Sequence, residues 1–230
     1  MYDISFNGIK AWDKGIAVAT RPSIPAPQKR GDFVDVAGLD GSLLVSDGTY
    51  ENIEIEMEMN FVRAPHWIGN AYREAKNWLN GSGELILGDD SDVHYRVKLC
   101  QISDMDRRTR NGVDLEVTFV CDPFCYMNAG KNKLPVSEVL QNPYYLSKPI
   151  YYIRGEGECE LTVNGNTMTA LVGQNLVIDT EKMMSYRENG DLQNTAVTGD
   201  YEGLYLLSGS NSIEITNGFS LLVRPNWRSL

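Results

Sequence analysis

Histidine is the residue type that most often carries acid–base chemistry near neutral pH, and this sequence has only two histidines, His66 and His94. A Ser-His-Asp site needs a histidine that an acid orients and that contacts a nucleophile, and no such set stands out. His66 opens a predicted helix. His94 alternates with apolar neighbours, which places it on the polar face of a strand with Arg96 and Lys98. We therefore expect both to be ordinary surface histidines.

The cysteines and one acidic cluster are the candidates for metal binding. Cys121 and Cys125 are spaced as a pair, but a structural zinc site takes four ligands, so Cys100 and Cys159 would have to join from other elements. We expect buried thiols that behave as small apolar groups. The aspartates of residues 89–92 lack the ligand offsets of a calcium-binding loop and predict a solvated turn. The sequence predicts no metal site.

Motifs that hold cofactors or phosphates do not occur. The sequence has no Walker-type loop, no dinucleotide-binding glycine motif and no His-Glu-x-x-His. We therefore predict no cofactor and no enzymatic activity. A cell-wall hydrolase that uses two carboxylates stays open as an alternative, because the separation of two acids cannot be read from a sequence.

Charge and composition limit the partners. The chain has 230 residues, enough for one or two domains, and a formal net charge of −10. Nucleic-acid binding needs a basic surface that replaces phosphate counterions, so this balance argues against it. The sequence begins without a secretory signal and has no apolar run long enough to cross a bilayer. We expect a soluble protein that folds in a reducing cytoplasm.

An acidic strand is the first element that the pattern predicts. Apolar residues at 53, 55, 57 and 59 alternate with Glu54, Glu56, Glu58 and Asn60, as in a half-buried strand. Three like charges then follow one another along one face. Such a row repels itself unless it faces water or basic partners.

The remaining elements predict a mainly β protein with one helix. Apolar residues at helical spacing indicate an amphipathic helix over 65–79, which packs two tryptophans on a sheet and stops at Asn80-Gly81. Strands follow on both sides of an Asn-Gly hairpin turn at 107–112. Residues 131–147 are polar and aperiodic, which indicates a linker between domains 1–130 and 148–230. Seven short strands predict an antiparallel sandwich for the second domain.

Between residues 21 and 45 lies a stretch that fits no catalytic pattern. Arg21 precedes Pro22, Pro25 and Pro27, and a corner of the form Gly38-Leu39-Asp40-Gly41 follows. Proline restricts the unfolded chain and stiffens an extended segment. Glycine allows a sharp reversal.

The order of landmarks along the chain resembles the distal tail proteins of siphophages, the long-tailed, non-contractile bacteriophages. The landmarks are Phe6-Asn7-Gly8, Arg21-Pro22, Gly38-x-Asp40-Gly41, Trp78-Leu79, Val117-x-Phe119-x-Cys121-x-Pro123, Pro149-x-Tyr151, Gly155-x-Gly157, Val163-Asn164-Gly165, Ile178-Asp179, Leu207-x-Gly209-x-Asn211-x-Ile213 and Arg224-Pro225-x-Trp227-Arg228. They cover nearly the whole chain. One difference is Leu39, where relatives often carry arginine.

The resemblance implies an architecture and a role. It implies an N-terminal barrel-like or split β domain with one helix, followed by a galectin-like antiparallel β-sandwich. It implies a homo-hexameric ring at the tail tip of the virion, assembled in the host cytoplasm. This baseplate hub would join the tail tube protein to the tail-tip hub protein and to adsorption or receptor-binding proteins. Domain 148–230 is too short for the inserted arm that grips receptor-binding proteins in some relatives.

Two residue-level hypotheses follow from the resemblance. We expect residues 21–44 to form an intersubunit arm, with Arg21, Pro22, Pro25 and Pro27 in its stiff base and Gly38, Asp40 and Gly41 at its corner. We expect Glu54, Glu56 and Glu58 to line a negative channel through which DNA slides without adhering.

A carbohydrate-binding module that docks on the host wall is the alternative function. Tyr144, Tyr145, Tyr151 and Tyr152 would supply the aromatic rings, although strand alternation would bury about half of them. Galectin-like architecture does not by itself imply sugar binding.

Overall fold

The computed structural model describes residues 2–62, 68–104, 114–136 and 138–230. These residues are mainly β, with one α-helix, which confirms the predicted fold class. They divide into two compact units. The first unit ends at Cys125 and also takes in Leu230, and the second runs from Tyr126 to Ser229.

One sheet builds most of the first unit. Its elements are β1 Ile4–Phe6, β2 Ile9–Lys10, β3 Ile16–Val18, β6 Ile53–Phe61, α1 Ile68–Trp78, β7 Gly83–Leu87, β8 Asp90–Ile102 and β9 Asp114–Met127, with β4 Asp32–Asp35 and β5 Ser42–Val45 paired apart from it. The strand order in the sheet is β2-β1-β7-β8-β9-β6-β3. β9 lies between β8 and β6 and pairs with both of them, although β6 precedes it by about fifty residues in the sequence.

Alternation along β6 is as predicted. Ile53, Ile55, Met57 and Met59 are buried in the core, and the residues between them are exposed. The described helix ends at Trp78, whose indole Nε1 donates to the Phe6 carbonyl oxygen at 3.2 Å. The predicted helix start, with Trp67, lies outside the described residues, as does the predicted turn at 107–112.

The second unit has a hydrophobic core of its own. Its strands are β10 Leu134–Pro135, β11 Val139–Asn142, β12 Ile150–Val163, β13 Asn166–Asp179, β14 Met184–Tyr186, β15 Val197–Thr198, β16 Gly209–Ile215, β17 Ser220–Arg224 and β18 Arg228–Ser229. The main order is β10-β17-β12-β13-β14, and β16 pairs with both β11 and β12. Residues 131–147, which we predicted to be a linker, contribute β10 and β11 to this unit. Strands of two and four residues are too short to show a period.

Two long strands replace four of the short strands that the sequence predicts. β12 and β13 pair without interruption from Ile150 opposite Asp179 to Val163 opposite Asn166. Gly155 and Gly157 do not end β12, because their positive φ angles allow the strand to bend. The bend lets one half of β12 pair with β17 and the other half pair with β16.

Asn211 fastens the loop between β15 and β16. Its side-chain Oδ1 accepts from the Leu207 backbone N–H at 2.8 Å, and its Nδ2 donates to the carbonyl oxygens of Leu207 and Gly209. Asn164 Nδ2 also donates to Asn211 Oδ1. The side chain is fully buried, so its removal leaves several polar groups without partners.

We expect Asn211→Ala to lower the free energy of unfolding of the second unit by about 3 kcal/mol, since each orphaned buried group costs about 1–3 kcal/mol. Asn189→Ala is the matched control. Asn189 is exposed and bonds only within its own turn, so this change should cost less than about 0.5 kcal/mol. Urea unfolding followed by circular dichroism measures both, and equal losses would contradict the anchoring role of Asn211.

Candidate functional site

The proline-stiffened stretch leads into a two-stranded hairpin. β4 pairs with β5 in antiparallel register, with Phe33 opposite Leu44 and Val34 opposite Leu43. Backbone hydrogen bonds extend the ladder towards the base, from Arg30 N–H to the Thr49 oxygen and from Glu51 N–H to the Gln28 oxygen. We call residues 28–51 the hairpin. It forms a separate two-stranded sheet.

The predicted glycine corner is the tip of the hairpin. Gly38 and Gly41 have φ angles of +86° and +81°, which glycine adopts readily and which strain other residues. Leu39 N–H donates to the Val36 carbonyl oxygen at 3.1 Å and closes the turn. The chain therefore reverses within the hairpin and returns along β5.

The hairpin exposes apolar side chains that a folded domain normally buries. The exposed fractions range from 42% at Leu44 to 73% at Phe33. The exposed apolar residues are Phe33, Val34, Val36, Leu39, Leu43, Leu44 and Val45. Large contiguous apolar patches on a protein surface are typical of interaction sites.

The base of the arm contacts the rest of the first unit through Arg21. Its guanidinium lies 3.8 Å from an Asp89 carboxylate oxygen and 5.6 Å from the centre of the Tyr2 ring. Both charged side chains are well exposed, so the ion pair itself contributes little stability. Burial, together with Asp89, raises the pKa of Tyr2 to about 12. Arg21 therefore places the start of the proline-stiffened stretch beside Tyr2 and Asp89.

The acidic residues of β6 lie on one exposed face, as predicted, and the structure adds Glu116. Glu58 lies directly opposite Glu116 on β9. Glu54, Glu56, Glu58 and Glu116 line a groove of about 550 Å³, together with Arg21, Pro22 and Pro25. The predicted acidic residues therefore meet part of the other predicted set here, whereas Pro27, Gly38, Asp40 and Gly41 do not line this groove. Buried Leu115 and Val117 flank Glu116, and this alternation in the sequence could have identified it.

His94 is not a surface residue, and this prediction was wrong. It is 2% exposed, and its Nε2 lies 3.8 Å from a Glu84 carboxylate oxygen. The register between β7 and β8 shifts between Leu85 and Leu87, so strict alternation fails along this part of β8. A bulge turns neighbouring residues towards the same side, and no period-2 pattern predicts it. His66 lies outside the described residues.

The cysteines are thiols and not disulfides, and the described residues contain no group of three or more side chains that could hold a metal ion. Asp89, Asp90 and Asp92 are exposed around the turn between β7 and β8. Burial raises the pKa of Cys121 to about 12 and that of Cys159 to about 11.

We expect Cys121 and Cys159 to resist alkylation in the folded protein. A pKa near 12 lowers the thiolate fraction of Cys121 at pH 8 by about a thousandfold. Because the buried Cys121 thiol keeps its proton more tightly than the unfolded chain does, the free energy of unfolding keeps its full value below about pH 9. It falls as the pH rises from about 9 through 12. Peptide mapping after iodoacetamide treatment measures the labelling. Labelling as fast as in urea-unfolded protein would contradict the expectation.

The tyrosines of the carbohydrate alternative do not form an open platform. Tyr151 is fully buried, and its hydroxyl donates to the Leu204 carbonyl oxygen at 2.7 Å. Lys133 Nζ lies 3.5 Å from the centre of the Tyr152 ring and covers one face of it. Tyr145 lies beside Arg228, and the Tyr144 ring packs on Trp227.

No described helix is long and apolar enough to cross a membrane.

Comparison with known proteins gives matches among solved structures. No protein-family model and no curated protein sequence matches the chain. Among solved structures, the chain aligns with SPP1 Dit (gp 19.1), described as a paradigm of the hub adsorption apparatus in phages that infect Gram-positive bacteria. The alignment covers 100% of both chains, with a TM-score of 0.71 and 13% sequence identity. Over its full length, the chain therefore has the fold of SPP1 Dit, the distal tail fold that the order of its landmarks predicted.

Proposed function

We propose that this protein is a structural component of a phage tail tip, where copies of it close into a hexameric ring. The first unit forms the ring, and the second unit carries the sandwich. The ring joins the tail tube protein to the tail-tip hub protein and to the adsorption apparatus. The protein is made in the host cytoplasm and acts in the virion.

The exposed hairpin is the observation that supports this proposal most strongly. An isolated two-stranded hairpin is only marginally stable in water, and this one presents seven apolar side chains to solvent. A protein that has one apolar projection and a separate receiving surface associates head to tail, and such contacts form rings when the rotation between copies closes. A ring at the tail tip needs this kind of contact.

We further propose that the acidic face of β6 and β9 lines the channel. Glu54, Glu56, Glu58 and Glu116 project from neighbouring strands, and Glu58 and Glu116 are directly opposed. Like charges in this position destabilise an isolated sheet, which suits a surface selected for repelling another polyanion. Repeated around the ring, this face would keep DNA from adhering as it passes.

The native mass tests the ring. We expect light scattering over a range of concentrations to show a species at six times the chain mass of 25.8 kDa. Electron microscopy of purified tails then locates the protein at the tip. A chain that stays monomeric in solution and is missing from purified tails would contradict the proposal.

A further inference from the structure

The hairpin is apolar on both of its faces. Because neighbouring residues in a strand point to opposite sides, Val34, Leu43 and Val45 share one face, while Phe33 and Leu44 share the other. All five are exposed. Asp32 shares the first face, and Asp35 and Ser42 share the second. A strand with one covered face alternates apolar and polar residues, whereas apolar side chains on both faces are typical of a strand that is covered on both sides.

The area of the hairpin leads to the same conclusion. Each side of the hairpin has about nine residues, which at about 3.3 Å per residue gives a length of about 30 Å. With a width of about 10 Å, each face of this ribbon offers about 300 Å². A stable protein interface buries about 800 Å² on each partner. One face falls far short of this area, and two faces together come close to it.

A largely apolar groove lies beside the proline-stiffened stretch. Its lining includes Pro25 and Pro27 from that stretch and Ile53, Tyr95 and Pro123 from the strands of the sheet. Its volume is about 470 Å³, roughly three times a cavity that holds one benzene ring. The hairpin of the same chain does not line this groove. A hairpin with two apolar faces from a second copy has the matching chemistry.

We propose that the hairpin of each copy is wedged into the groove at the arm base of the next copy, which covers both hairpin faces. This inference rests on the proposed ring and specifies its contact. Each hairpin then occupies the groove of the following copy, so the contact is head to tail and forms a ring when the rotation between copies closes. The proline segment becomes part of the interface, since Pro25 and Pro27 line the groove.

Face-specific variants test the double covering. Val34→Ser with Leu43→Ser changes one face, and Phe33→Ser with Leu44→Ser changes the other. Each pair should weaken self-association at least tenfold, because each removes two apolar contacts. Leu171→Ser, an equally exposed position in the second unit, should change nothing. A pair that leaves the concentration dependence of the native mass unchanged would show that the second copy does not cover that face.

Cross-linking tests the groove itself. Cys125 lines the groove and is not in a disulfide. In a Phe33→Cys variant, a short bis-maleimide should link the new thiol to Cys125 of the next copy and give a ladder of covalent oligomers. Adding Cys125→Ser should abolish the ladder, and Leu171→Cys should not produce one. The reaction is run on the purified chain and on tails assembled with the variant.

The outcomes separate the two proposals. A ladder that depends on Cys125 supports the groove contact. Rings or tail-bound protein without a ladder overturn the groove contact and leave the proposed function standing. A protein that neither self-associates nor enters tails contradicts both.

Discussion

Replacing residues 31–46 with a four-residue Gly-Ser link should leave the protein folded and abolish its self-association. The removed segment contributes nothing to either buried core, and the residues at its two ends are neighbours in the hairpin ladder, so a short link can join them. The loss of seven exposed apolar side chains should weaken association by at least about a thousandfold. Light scattering gives the mass, and circular dichroism gives the fold.

A second variant separates the apolar surface from the shape of the hairpin. Threonine has a high strand propensity, so replacing apolar residues with threonine keeps the hairpin and removes the apolar contacts. The changes are Phe33→Thr, Leu43→Thr, Leu44→Thr and Val45→Thr. We expect this variant to be monomeric like the linked one, with a free energy of unfolding within about 0.5 kcal/mol of the unaltered chain. Rings that persist in the linked protein would contradict the role of the hairpin as an intersubunit arm.

Reversing the charge of the acidic face should slow DNA release. A triple variant replaces a face that repels phosphate with one that binds it. Its changes are Glu54→Lys, Glu56→Lys and Glu58→Lys. If six copies line the channel, DNA must exchange bound counterions for lysines along its path. We expect at least a tenfold slower release at low salt, and a smaller effect as salt rises, because screening and counterion competition weaken phosphate contacts. Time-resolved fluorescence of a DNA-binding dye measures release from phages that carry the variant.

The second unit supplies a matched control for this experiment. Glu156, Glu158 and Glu160 have the same spacing on β12 and are also exposed. Their reversal changes the net charge equally and should leave release unchanged. The reversal on β6 also replaces the repulsion between positions 58 and 116 with attraction, so it should not destabilise the fold. Release at the normal rate in low salt would count against an acidic channel.

Local patterns in the sequence determined much of the structure. The alternation in β6 predicted which face Glu54 presents, because side chains in a strand alternate strictly. The Asn80-Gly81 pair predicted the end of the helix, and the corner at Gly38 and Gly41 predicted a chain reversal, because glycine tolerates positive φ angles. The order of such landmarks was enough to predict the distal tail fold.

The tertiary structure decided which distant segments meet. The bulge between β7 and β8 buries His94, and such a shift depends on the partner strand and leaves no period in the sequence. The pairing of β6 with β9 places Glu116 opposite Glu58, about sixty residues away along the chain. The proline-stiffened stretch predicted an extended arm, but it did not predict that β4 and β5 pair or that they carry exposed apolar side chains. Only the fold shows that no part of the described chain covers them, because burial depends on contacts between segments that local patterns do not encode.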